Sequence, residues 1–293
     1  INGVSAFQAH PPLLQTTISF EPASEYHGWP EVSATQLKEF AASPWGFYRR
    51  FVTQDAPAKT SAVLSYGTLI HQWGELLDGL DQSRFWDRVR IAPASVVTAT
   101  GQFGKAAEAW LADQPPDAIP VSPADAQTLR LQTEQLMLNP AVTDLLEAAV
   151  WKEGNIRFAW GERGHQCRCR VDGATPEVFY DLKTTREVDP ASTFDYACAT
   201  FRYDIQAAFY GRAALQAGWP RHRMAFIATS TVYPYDCCVM VLPAEVIQQA
   251  ERDIDRMLNE LEHRRNLDWW TPAHYGQVIE MPSRAFIKKG RAW

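Results

Sequence analysis

The spacing of apolar residues divides the chain into a helical first half, a strand-rich middle and a helical end. Ser33-Ala34-Thr35-Gln36 has the capping-box form, a hydroxyl acceptor with Gln three residues on. It predicts a helix that turns Leu37, Phe40 and Ala41 inward. Ser43-Pro44 repeats the start signal, with Pro at the first helical position ahead of Trp45, Phe47 and Tyr48. A longer helix is expected over 61–80, carrying Gly67, His71 and Glu75. The proline-broken loop 111–123 separates it from helices at about 124–138 and 141–149. After that the period shortens to two. WKEGNIRFAW, HQCRCRVD and EVFYDLKTT read as three strands joined by Gly-containing turns, an antiparallel meander. A helix at about 203–217 follows, then strands MAFIATSTVY and DCCVMVL with Pro234 in their turn, then an amphipathic helix over 243–266. Residues 1–24 lack periodicity and read as an N-terminal extension to a single domain, 25–293. This order predicts an α/β (α+β) fold, a central mixed sheet flanked by helices.

Composition narrows the class. With 46% hydrophobic and 12% aromatic residues among 293, the chain has the material for a packed core. No apolar run approaches the ~20 residues that span a bilayer, so no membrane role is expected. The start lacks the charged and apolar regions of a signal peptide. Because it opens on Ile, the numbering is expected to begin inside a longer or trimmed product. Five cysteines, an odd number without CxxC spacing, read as reduced thiols of a cytoplasmic protein. The net charge of −6 argues against a surface that coats nucleic acid at large. Basic residues nevertheless cluster at Arg49-Arg50, Arg168/Arg170, Arg221/Arg223, Arg264-Arg265 and Lys288-Lys289-Arg291.

The candidate chemistry lies in the meander. Side chains alternate along a strand, so Asp181 and Lys183 face one way while Leu182 faces the core. Pairing across the 173–177 turn brings Asp172 beside Asp181. Two carboxylates and an ammonium at one point suit Mg²⁺, which keeps positions open for water and phosphate. The competing reading is a surface hairpin with solvated charges. His71 follows Gly67 by one helical turn, a gap that would admit a phosphate or a neighbouring backbone. Gln206 and Tyr210 share a helix face at i, i+4. Glu153 lies one strand before Asp172.

Taken in order, G-x-x-x-H (Gly67–His71), Glu153, R-x-D (Arg170–Asp172), D-L-K-T (Asp181–Thr184) and Q-x-x-x-Y (Gln206–Tyr210) resemble the RecE-type exonucleases. These belong to the PD-(D/E)xK nuclease superfamily, with phage lambda exonuclease and the RecB- and Cas4-type nucleases. The stretches EYHGWPEVSATQLKEFAASPWGFY and LSYGTLIH are also similar, and the likeness runs from about Glu25 to Arg265. Val171 replaces the family's proline, a position that shapes backbone and holds no ligand. The cysteines do not bracket the domain as Cas4-type clusters require, so no iron–sulfur cluster is expected.

The resemblance implies a role for each residue. Asp172 and Asp181 hold Mg²⁺, with Mn²⁺ as a substitute, helped by the Leu182 carbonyl and by His71. Lys183 orients or deprotonates the attacking water. Gln206 and Tyr210 position water or the scissile phosphodiester, and Glu153 completes the set. The DNA-binding set is Ser33, Arg49, Arg50, Arg168, Arg170, Arg186 and Arg202, the arginines lining a passage to Asp181. The implied activity is 5′→3′ digestion of double-stranded DNA from its ends, leaving 3′ overhangs for recombination by strand annealing. A partner annealing protein, a ring-shaped trimer or tetramer and a phage or prophage setting in the cytoplasm of a bacterial host come with it. An endonuclease of a repair or restriction system, or an inactive DNA-binding module, are the alternatives. Retention of Asp172, Asp181 and Lys183 together argues against the inactive module.

Overall fold

The computed structural model describes residues 16–55, 66–219, 223–272 and 274–277. Its strands are β1 (Thr17–Ser19), β2 (Val32–Ser33), β3 (Val89–Ile91), β4 (Ile119–Val121), β5 (Trp151–Trp160), β6 (His165–Ala174), β7 (Phe179–Thr185), β8 (Met224–Ser230) and β9 (Cys237–Val241). Its helices are α1 (Ala23–His27), α2 (Ala34–Ala42), α3 (Pro44–Phe47), α4 (Tyr66–Leu76), α5 (Ser83–Trp86), α6 (Ala107–Ala112), α7 (Pro123–Leu138), α8 (Pro140–Glu147), α9 (Pro190–Phe201), α10 (Tyr203–Gln216) and α11 (Ala244–Leu267). Seven strands form one sheet in the order β1-β5-β6-β7-β8-β9, with β2 beside β6. The β7–β8 and β2–β6 pairs are parallel and the rest antiparallel, the mixed sheet the sequence predicts.

Local chemistry explains the connections. Gly161 and Gly164, with φ of +68° and +66°, make the tight turn that folds β6 back on β5. A parallel β7–β8 pair needs a crossover, and α9 and α10 supply it. Helices α2, α10 and α11 bury Leu37, Phe40, Phe209, Ile254 and Leu258 against Ile156, Phe158, Cys167, Cys169 and Val171 on one face. Helices α4, α7 and α8 bury Leu69, Ile70, Trp73, Leu129 and Leu146 against Tyr180, Leu182 and Ile227 on the other.

Alternation along β5 and β6 breaks at one place. The ladder skips Glu153, which takes the left-handed conformation at φ +52°. Beyond it, Trp151 and Ala174 rejoin the Ile156–Val171 core one position out of phase. Gly154 and Gly173 admit this bend. A Cβ on Gly154 would meet the Trp151 ring at 2.3 Å, and one on Gly173 the Tyr180 ring at 2.1 Å.

Several elements differ from expectation. Residues 17–19, read as extension, form β1 and pair with β5, because Thr17 and Ile18 have the extended pattern of an edge strand. Residues 1–15 lie outside the described residues, as do 61–65 of the expected 61–80 helix, which ends at Leu76. Arg221, Lys288, Lys289 and Arg291 also fall outside them. Helix α9 was not anticipated. Among the described residues no helix is long and apolar enough to cross a membrane.

Candidate active site

Gly74, not Gly67, lets helix and sheet approach. A Cβ on Gly74 would meet Leu182 Cδ1 at 2.5 Å, whereas one on Gly67 would make only an ordinary 3.6 Å contact with Thr184. The close crossing sets His71, one turn before Gly74, over the β6–β7 pair. The His71 Nδ1 lies 2.9 Å from Asp172 Oδ2, and the same oxygen accepts the Leu182 backbone N–H at 2.7 Å.

The β6–β7 register, Gly173 opposite Tyr180, puts Asp172 and Asp181 side by side as the hairpin predicts. Asp181 is 3% exposed. Its Oδ1 accepts a hydrogen bond from Gln206 Nε2 at 2.7 Å, across the α10–β7 contact. Its Oδ2 is buried, with the Lys183 ammonium as ion-pair partner and no aligned hydrogen bond. Lys183 Nζ also sits 5.2 Å from the centre of the Tyr203 ring.

The two aspartates are driven apart electrostatically. Burial and the Asp172 charge raise the Asp181 pKa, with Lys183 and His71 offsetting only part of this. Burial also opposes ionisation of Asp172. There the His71 hydrogen bond and charge, Lys183 and the Leu182 N–H prevail and hold it below the usual carboxylate value. His71 and Lys183 are each raised, because the aspartate charges outweigh the burial that disfavours their cations. Glu153 faces the same cluster. Burial, then the Asp172 charge, lift its carboxyl to about 7 despite its 2.6 Å pair with Arg170. Tyr210 lies one turn beyond Gln206 with its ring packed into the core, and burial pushes its phenol well up.

Two site residues were missed. Tyr203 is one. Lys38 of α2 is the other: its Nζ is 5.7 Å from the same Tyr203 ring centre, and burial followed by the Lys183 charge lowers its pKa to about 8. A signal existed. Lys38 follows the buried Ala34 by one helical turn and adjoins the buried Leu37, a face on which a lysine is out of place; Ala41, expected inward, is exposed where α2 ends.

The arginine-lined passage needs correction. Arg168 is 4% exposed; it lies over the Tyr26 ring at 4.8 Å and donates to the Tyr26 and His27 carbonyls. Arg170 is held by Glu153, Asn155 and the Glu21 carbonyl. Arg202 pairs with Asp204 and Asp253 at 3.0 Å each. Arg49 and Arg50 pair with Asp55 and Glu39 near the surface. Ser33 is buried and completes the capping box with Gln36. These groups satisfy the protein's own acids and carbonyls, as an excess of acidic residues favours. Of the seven, Arg186 alone lines the cleft beside Lys183.

A mixed sheet whose antiparallel β6–β7 pair delivers two aspartates and an Asp-x-Lys lysine defines a PD-(D/E)xK nuclease fold. The chain belongs to the family described as the PDDEXK-like domain of unknown function (DUF3799), whose pattern matches residues 130–278. A crystal structure from Eubacterium rectale, described provisionally as an exonuclease, superposes with a TM-score of 0.58 over 92% of this chain and 97% of its own. The two are 14% identical, so the likeness speaks for the fold alone. Curated protein sequences contain no match to this chain.

Among the described residues no three His, Cys, Asp or Glu side chains form a ready metal cluster. Two carboxylates nevertheless converge, and the buried Asp181 Oδ2 lacks an aligned donor. Mg²⁺ uses one or two carboxylates and retains several waters, so this donor set fits it.

Proposed function

We propose that the protein is a divalent-metal-dependent exodeoxyribonuclease of the RecE type that removes nucleotides from the ends of double-stranded DNA. The observation that carries the reading is the convergence of Asp172, Asp181 and Lys183, with Gln206 bonded to Asp181 and His71 to Asp172. Asp172, Asp181 and the Leu182 carbonyl would hold Mg²⁺ or Mn²⁺. When bound, the ion lowers the pKa of a coordinated water and offsets charge on the phosphate oxygens.

The chain's own residues do the rest. Lys183 orients the attacking water and meets negative charge as it develops on the phosphate. Gln206 fixes the angle of the Asp181 carboxylate. His71 does the same for Asp172 and keeps it ionised. Lys38 adds a second cation on the Tyr203 side. The left-handed backbone at Glu153 turns that carboxyl toward the cluster, where it can take or release a proton near neutral pH. The 5′→3′ polarity, the 3′ overhangs, the annealing partner and the ring-shaped oligomer rest on the sequence resemblance.

Incubation of linear and covalently closed circular duplex with the protein and Mg²⁺ is the test. Digestion of the linear form alone supports an exonuclease. Equal cutting of circles identifies an endonuclease, and binding without hydrolysis of either identifies an inactive module.

A further inference from the structure

We propose that Tyr203 is a positioning residue for Lys183, and that the face of its ring, rather than its hydroxyl, holds the Lys183 ammonium in place for hydrolysis. The inference deepens the nuclease reading and rests on it.

The backbone sets up the contact. Helix α9 ends at Arg202, which turns into the left-handed region at φ +51° and pairs with Asp204 and Asp253 at 3.0 Å each. That junction fixes Tyr203, the first residue of α10. Residues three apart share a helix face, so Tyr203 lies on the side of α10 that carries Gln206. Each of the two then takes one member of the Asp-x-Lys strand. Gln206 bonds to Asp181 at 2.7 Å, and Lys183 Nζ lies over the Tyr203 ring, 5.2 Å from its centre. An ammonium within about 6 Å of a ring centre is drawn to the negative face of the ring. One face of one helix thus grips both halves of the ion pair.

The ring is itself anchored. Phe226 of β8 stacks on it at 5.5 Å, and Phe194 of α9 lies 5.8 Å away. Lys183 needs such a hold, because Lys38 Nζ sits 5.7 Å from the same ring centre and repels it. The ion pair with Asp181 is not a secure alternative. The Asp181 oxygen that faces Lys183 is the one lacking an aligned donor, and a divalent ion would draw on that same oxygen. The ring contact is the one that would remain.

A leucine would also fill space beside Phe194 and Phe226, so the bulk of Tyr203 can be separated from the charge on its ring face. The test places Phe, Leu and a trifluorinated phenylalanine at position 203 of the full chain. Fluorine withdraws charge from the ring face and nearly preserves its shape, so a ring that only fills space would not register it. Single-turnover shortening of an end-labelled duplex with Mg²⁺, and affinity for a DNA end in EDTA, are measured for each. Tyr203→Leu and the trifluorinated protein should be slowed by roughly 3–30-fold with DNA affinity unchanged, and Tyr203→Phe should recover the rate. A second readout needs no activity. In EDTA the NMR signal of the Lys183 ε-methylene, assigned by its loss in Lys183→Met, should carry an upfield ring-current shift in wild type and Tyr203→Phe that Tyr203→Leu removes. If the leucine variant does not fold, the trifluorinated and Phe proteins decide between themselves. A trifluorinated protein as fast as Tyr203→Phe would overturn the role, as would a Tyr203→Phe as slow as Tyr203→Leu, which would assign the effect to the hydroxyl. Digestion of linear duplex by wild type separates the two readings: where it occurs and the fluorinated ring is no slower, only the role of Tyr203 falls, whereas no digestion by wild type ends both.

Discussion

Gln206 Nε2 donates to Asp181 Oδ1 at 2.7 Å while Lys183 holds the other oxygen of the same carboxylate. A helix and a strand thus fix one buried acid from two sides. Replacing Gln206 with Ala leaves that oxygen unbonded and the carboxylate free to rotate. Gln206→Ala should lower the melting temperature by an amount corresponding to about 1–3 kcal/mol. It should also slow Mg²⁺-dependent hydrolysis by roughly 10–100-fold, measured under single-turnover conditions.

Lys183 is partly buried and pairs with the buried Asp181, so its removal reaches stability as well as chemistry. Lys183→Met strands a buried carboxylate, and loss of one partner of such a pair costs about 3 kcal/mol in order of magnitude. The sign with pH follows from the raised Asp181 pKa. A carboxylate disfavoured in the folded state costs stability above its unfolded value, and the cost disappears as acid protonates it. Denaturant melts should show the variant's deficit largest at neutral and alkaline pH and smaller below the raised Asp181 pKa. A pH-independent deficit would mean the pair does not carry it.

Lys38 titrates within reach of ordinary assays, its pKa being lowered to about 8. As pH rises through that value the site loses a cation, so affinity for DNA should fall. Lys38→Arg keeps its charge throughout and should flatten this profile, while Lys38→Met should show the weakened affinity at every pH. Anisotropy titrations between pH 7 and 9.5 check both.

The strands that carry the chemistry were legible because the core residues of β5 and β6 alternate over most of their length, and the Asp172–Asp181 juxtaposition follows from that period together with the 173–177 turn. The fates of the arginines were not. Arg168 reaches Tyr26 across 142 positions, and Arg202 reaches Asp253 across 51. Such pairings belong to the tertiary fold. Helix α9 was overlooked although Asp189-Pro190 is a good start signal, because Tyr196 and Phe201 on its outer face blur the amphipathic pattern. The left-handed turn at Glu153 carries no local mark, since nothing about a glutamate announces a positive φ.

Arg168 gives a direct check on the correction. Its guanidinium lies over Tyr26 and bonds two carbonyls in the interior. Arg168→Met should lower the melting temperature measurably and leave the salt slope of DNA binding unchanged. A slope reduced by about one unit would instead mark a phosphate contact.

The central claim is that Asp172, Asp181 and Lys183 together hydrolyse DNA with a divalent metal. Its most direct test is the rate at which an end-labelled linear duplex is shortened, with Mg²⁺ or with EDTA, by wild type, Asp181→Asn and Lys183→Met. Shortening by wild type that needs Mg²⁺, and is reduced at least a thousandfold in both variants while each still binds DNA, is the predicted result. Shortening at wild-type rate by either variant, or by wild type in EDTA, would contradict the account.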